Sequence, residues 1–166
     1  MTEDKLKDGN GRYVRNSDPA LRIDTAENGQ HPWAVVVCCS DSRVIPEQIF
    51  DVSLGELFVI RVAGNVLDDQ QFGSIEYAVE HLHCRQVLML GHTGCGAVAA
   101  ALEGEGEGYI SSITRCIRAA IGSERDPYRA CRMNVEYGAD LIRRKIPEAE
   151  VCGAVYDIRT GAVEWL

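Results

Sequence analysis

The chain has 166 residues, which suits one compact domain and is short for two of ordinary size. Hydrophobic residues make up 46% and charged residues 25%, a composition that excludes a disordered or fibrous protein. The net charge of -8 disfavours nucleic acid and membrane surfaces as partners, because both are bound through clustered positive charge. The polar N-terminus carries no apolar signal segment, so we expect a cytoplasmic location.

The predicted elements alternate between strands and helices. Residues 1–32 are polar and predict an N-terminal arm with a short helix around Asp18 to Ala26, and residues 33–166 predict the core of a single domain that spans 1–166. Runs of strand length are Ala34–Cys39, Leu57–Val62, Gln86–Gly91 and Val151–Ile158, with a short Ala162–Trp165 segment that could fold back as a hairpin. Helical patterns are Gln70–His83, the start of a helix at Ala97–Leu102, Tyr109–Ile121 and Pro127–Lys145. The segment Glu103–Gly108 is predicted to be an acidic connector. Because the first three strands are apolar on both faces, we predict an α/β fold whose central, mostly parallel β-sheet is flanked by helices.

Two thiols and one imidazole follow the ends of two predicted strands. Cys39 ends the first strand, and His92 and Cys95 follow the third. Functional groups collect at the carboxyl edge of a parallel sheet, so these three side chains meet if the strands are neighbours. Such a donor set suits zinc and leaves a fourth position for water. Taken alone, each residue is more often a packing residue than a ligand, and it is their joint placement at two strand ends that favours a metal. We expect Cys38, which faces the other way, to be a packing residue.

The motifs Cys39-x-Asp41-Ser42-Arg43 and His92-x-x-Cys95 resemble those of the β-class carbonic anhydrases. The resemblance continues in three further blocks in the same order: Gly55–Val59, Arg61–Asn65 and Ile75–Val79. It implies a β-carbonic anhydrase fold in which Cys39, His92 and Cys95 bind zinc. The implied enzyme is a lyase that reversibly hydrates CO2 to bicarbonate and a proton, through attack of a zinc-bound hydroxide. Asp41 is expected to orient that hydroxide, and Arg43 to hold Asp41 in a charge-assisted pair.

The resemblance also bears on the rest of the pocket. In some members the carboxylate that matches Asp41 becomes a fourth zinc ligand and closes the site, whereas plant-type members keep it open. This chain resembles a short, bacterial-looking member with the open, plant-type pattern. Gln30, Phe58 and Tyr77 match the open pattern by position. Gln30 and the Gly96 backbone N–H would then bind bicarbonate, and Phe58 and Tyr77 would wall the pocket.

His81 is a candidate proton shuttle that shares a helix face with Tyr77, although a half-exposed surface histidine explains it equally well.

Two other activities stay open, and so does the size of the assembly. A hydrolase of COS or CS2 can use the same ligands. A non-catalytic zinc- or bicarbonate-binding module would not need an intact Asp41–Arg43 pair. The family implies a homodimer or homotetramer, with Gln30 from one chain meeting Phe58 and Tyr77 from another. The seven cysteines need not pair, and five are expected to be packing residues: Cys38, Cys84, Cys116, Cys131 and Cys152.

Overall fold

A computed structural model describes residues 2–104 and 106–166; Glu105, in the predicted acidic connector, lies outside the described residues. The chain forms two compact units, Met1–Gln30 and His31–Leu166. Among the described residues, no helix has the length and apolar character needed to span a membrane.

The first unit contains two helices, α1 over Thr2–Asn16 and α2 over Pro19–Asn28. Helix α2 begins where the sequence predicts it, because the Asp18 side chain accepts a hydrogen bond from the Ala20 N–H at 2.8 Å and Pro19 fits the first turn. Helix α1, in the arm before Asp18, is not among the helices that the sequence predicts. Acidic residues in the first turn of α1 and an ion pair between Lys7 and Glu3 favour the helix over the turn signal inside it.

The second unit is built on a five-stranded sheet with the order β2-β1-β3-β4-β5. The strands are β1 (Ala34–Cys38), β2 (Leu57–Arg61), β3 (Gln86–His92), β4 (Glu150–Tyr156) and β5 (Val163–Trp165). The first four strands are parallel to one another. Strand β5 pairs antiparallel with β4 and forms the predicted hairpin. The mostly parallel sheet is therefore confirmed.

Helices pack against the sheet, whose two faces belong to separate core clusters. They are α3 (Pro46–Ile49), which the sequence does not reveal, α4 (Asp69–His81), α5 (Gly96–Glu103), α6 (Ile110–Ile121) and α7 (Pro127–Lys145), and a 3-10 turn spans Ala63–Asn65. On β1, Val35 and Val37 pack in one core cluster with residues of α4 and α7. Val36 and Cys38 point to the opposite face, because side chains alternate along a strand, and they lie in a separate cluster.

Candidate metal centre

Cys39, His92 and Cys95 converge at the carboxyl edge of β1 and β3. Cys39 follows β1, His92 is the last residue of β3, and Cys95 caps the N-terminus of α5. Because β1 and β3 are adjacent and parallel, their ends meet at one edge. The three ligand atoms all lie within 4.8 Å of one another, and the three residues are buried. The convergence expected from the sequence is therefore present in the fold.

The donor atoms fit a bound metal ion. His92 Nδ1 lies 3.0 Å from the Thr93 carbonyl oxygen, which favours a proton on Nδ1 and leaves the Nε2 lone pair free. His92 Nε2 is buried and has no hydrogen-bond partner among the described residues. A buried polar atom without a partner is unfavourable, and a metal ion would satisfy it. Two sulfur atoms and one imidazole nitrogen form a donor set suited to zinc.

Cys39 differs electrostatically from its sequence neighbour Cys38. Cys39 Sγ and Cys95 Sγ are 3.9 Å apart. A hydrogen bond from the Cys95 thiol lowers the pKa of Cys39, while the same interaction and burial raise the pKa of Cys95. Burial alone dominates at Cys38 and raises the pKa of its thiol to about 12. Adjacent cysteines therefore differ in character: Cys39 is suited to be a thiolate ligand and Cys38 to be a buried thiol.

Asp41 and Arg43 form a two-pronged ion pair beside these ligands. Arg43 Nε donates to Asp41 Oδ1 at 2.9 Å, and Arg43 Nη2 donates to Asp41 Oδ2 at 2.7 Å. This guanidinium holds the pKa of the Asp41 carboxyl well below its usual range. Asp41 Oδ2 lies 3.9 Å from His92 Nε2, and Arg43 Nη2 also donates to the Gly94 carbonyl at 3.3 Å. The pair thus joins the two loops that carry the ligands and keeps an ionised carboxylate at their centre.

Comparisons with known proteins give the family. The family described as carbonic anhydrase matches residues 34–163. Carbonic anhydrase 2 of Mycobacterium tuberculosis strain H37Rv is 47% identical over 110 residues, which cover 63% of this chain and 53% of the relative. The crystal structure of the β-carbonic anhydrase CafA of Aspergillus fumigatus has a TM-score of 0.78 and 31% identity, and the match covers 99% of this chain and 88% of that one. This chain belongs to the β-class carbonic anhydrase family.

The chain spans about half the length of the curated relatives it matches. The carbonic anhydrase of Mycolicibacterium smegmatis is 46% identical over 112 residues, which cover 64% of this chain and 54% of the relative. A structure reported as one of two tetrameric β-carbonic anhydrases from Sordaria macrospora has a TM-score of 0.79 and 26% identity, covering 99% of this chain and 94% of that one.

The β-class pocket residues expected from the sequence lie on several different elements. Gly96 is the first residue of α5, directly after the ligand Cys95. Phe58, Tyr77 and His81 instead form an aromatic row, with ring centroids 6.2 Å apart for the first pair and 5.2 Å for the second.

The strand register separates Phe58, the first residue of this aromatic row, from the ligands of its own chain. Phe58 pairs with Val35 across β1 and β2, and Val35 lies four residues before Cys39, or about 13 Å along the strand. Gln30 ends the first compact unit, so its place in the pocket stays a prediction.

Sequence reasoning missed Arg61 as a site residue. Arg61 ends β2 and donates to the Asp41 carbonyl at 2.7 Å and to the Cys39 carbonyl at 3.3 Å. It therefore holds the backbone between the ligand Cys39 and Asp41. Its position at the carboxyl end of a strand next to β1 was the signal that could have found it.

The prediction that all five remaining cysteines are packing residues is wrong for Cys116 and Cys152, which are exposed; Cys38, Cys84 and Cys131 are buried.

Proposed function

We propose that this chain catalyses the reversible hydration of CO2 to bicarbonate and a proton at a zinc ion held by Cys39, His92 and Cys95. The observation that carries the proposal is the buried cysteine–histidine–cysteine cluster with the Asp41–Arg43 pair against it. Relatives that are 46% to 47% identical and are named carbonic anhydrase support the same reaction.

Zinc, when bound, supplies the Lewis acidity that lowers the pKa of a water molecule to about 7. The chain's own residues must then orient that nucleophile. Asp41 is held ionised by Arg43, so its carboxylate can only accept a hydrogen bond, and it directs the remaining lone pairs of the nucleophile toward CO2. We infer from this pairing that Asp41 acts through hydrogen bonding in the open state of the site, rather than as a fourth ligand.

Gly96 and Gln30 are the proposed partners of bicarbonate. The Gly96 N–H belongs to the first residue of α5, where helix amides have no partner within the helix and favour an anion. Phe58 and Tyr77 supply an apolar wall suited to a nonpolar substrate. Because the strand register offsets Phe58 from Cys39 of its own chain and Tyr77 packs against Phe58, we infer that the two serve the metal centre of a second copy, in a homodimer or homotetramer.

His81 is proposed to carry the product proton to the solvent. Its ring packs against Tyr77, at the end of the aromatic row. We expect His81→Ala to lower kcat by about tenfold or more, and imidazole buffer to restore it, because an exogenous base replaces the missing side chain. Unchanged kinetics in weak buffer would assign His81 to the surface instead.

A stopped-flow assay tests the proposed function directly. The zinc-loaded chain is mixed with CO2 at pH 7 to 9, and a parallel series with carbonyl sulfide follows sulfide release. We expect CO2 hydration that is lost in Asp41→Asn. Sulfide release without CO2 hydration would indicate a COS hydrolase, and stoichiometric zinc with neither reaction would indicate a non-catalytic module. The cytoplasmic location and the absence of nucleic-acid and membrane partners stay predictions.

A further inference from the structure

Asn134 is a buried amide on α7 that no motif marks for chemistry. The residue is 5% exposed, and its Nδ2 donates to the Gly64 carbonyl oxygen at 2.9 Å. The Gly64 N–H donates in turn to the Cys39 sulfur at 3.3 Å. Two hydrogen bonds in series therefore connect the amide on α7 to one of the three metal-ligand residues.

Gly64 is a residue whose conformation has to be held by its surroundings. It has φ 68° and ψ 16°, a left-handed conformation that glycine enters as readily as its mirror image. Because glycine has no side chain to restrict it, the direction of the Gly64 N–H depends on hydrogen bonds that hold the turn. The Asn134 amide fixes the carbonyl side, and the Asn65 N–H donates to the Val62 carbonyl at 2.9 Å and closes the turn.

A neutral donor is the side chain that this position requires. An apolar residue of similar size would leave the buried Gly64 carbonyl without its partner, and the glycine could then rotate away from Cys39. A carboxylate would place a second acceptor against that carbonyl. The hydrogen bond that Gly64 gives to sulfur draws electron density from Cys39, which keeps a bound metal ion more electrophilic.

We propose that Asn134 is a positioning residue of the metal centre, which acts through Gly64 to keep an N–H···S hydrogen bond on Cys39. The inference rests on the ligand role of Cys39 in the proposed function. It assigns to α7 a part in setting the properties of the metal ion, beyond packing on the sheet.

Three substitutions separate this role from packing. Asn134→Leu keeps the volume and removes the donor, whereas Asn134→Asp keeps the shape and replaces the donor with a carboxylate. Asn134→Gln keeps the donor on a longer side chain, and a cavity of about 300 Å³ that Asn134 itself lines has room for the extra methylene. Ile142→Val is the matched control, since it removes one buried methyl group from α7, eight residues further along the helix.

The readouts are the absorption spectrum of the cobalt(II)-loaded chain and zinc affinity measured by competition with a chelator. We expect Asn134→Leu and Asn134→Asp to move the sulfur-to-cobalt charge-transfer band to longer wavelength, because the Cys39 sulfur loses the N–H that draws electron density from it. Zinc binding should weaken by about 10- to 100-fold, because Cys39 is no longer held in its ligand orientation. Asn134→Gln should restore both values, and Ile142→Val should change neither.

A wild-type spectrum and affinity in Asn134→Leu and Asn134→Asp would overturn the inference, and so would an equal shift in Ile142→Val. If Asn134→Leu does not fold, Asn134→Asp and Asn134→Gln still decide the question. If the wild-type chain binds cobalt through sulfur and yet does not hydrate CO2, the proposed function is wrong, but the test of Asn134 is unaffected.

Discussion

Replacing Gly64 by alanine should destabilise the chain more than any replacement of a surface glycine. A Cβ at this position would lie 2.8 Å from Ile117 Cδ1 and 2.9 Å from Ala97 Cβ, distances at which the neighbours must move. The left-handed backbone adds about 1–2 kcal/mol for a residue with a side chain. Overpacking a tight core adds about 1–3 kcal/mol, so Gly64→Ala should lower the free energy of unfolding by about 2–5 kcal/mol.

Gly161→Ala separates the two contributions. Gly161 has φ 78°, close to that of Gly64, but a Cβ there meets nothing within 4 Å. This variant should lose no more than the backbone contribution of about 1–2 kcal/mol, and a stiffer unfolded chain offsets part of it. The assay is equilibrium unfolding in urea at neutral pH. Equal losses in the two variants, within about 0.5 kcal/mol, would refute the steric reasoning and with it the tight enclosure of the turn beside Cys39.

Three further predictions concern the metal centre and its assembly. Cys39→Ser should weaken zinc binding by more than about 100-fold while Cys38→Ser keeps full zinc content, and equal loss by metal analysis would contradict the assignment of faces. Arg43→Lys should lower kcat/KM by about 10- to 100-fold, because a single ammonium cannot reproduce the two-pronged pair; wild-type kinetics would show that charge alone suffices. Mixing refolded Cys39→Ser and Tyr77→Ala chains should regain up to about a quarter of wild-type CO2 hydration, whereas mixing Cys39→Ser with His92→Ala should regain none.

The parts of the fold that the sequence predicts well are those with strong local signals. Helix α7 is predicted at its observed bounds because Asp126 caps it, Pro127 fits its first turn and basic residues fill its last turn. Helix α1 is missed because the Asn10-Gly11 dipeptide, normally a turn signal, lies within a helix. The short helix α3 is missed because one turn carries no periodicity that can be read.

The metal ligands can be predicted for a topological reason. Parallel strands end at one edge, so residues that are distant in sequence but follow two strands are brought together if those strands are neighbours. The residues that hold these ligands in place cannot be predicted in the same way. Asn134 and Gly64 meet because α7 packs against the turn after β2, and only tertiary packing sets which residue of a helix faces that turn. No spacing in the sequence encodes such a contact.

The strand register gives a geometric reason to expect function only in an assembly. Phe58 lies near the start of β2, and Cys39 follows the end of its neighbour β1. Hydrogen bonding between the strands fixes this offset of about 13 Å, and no side-chain movement can remove it. If the aromatic row walls a metal centre, that centre therefore belongs to another copy of the chain. A two-fold interface would then complete two sites at once, because each copy supplies ligands to one site and a wall to the other.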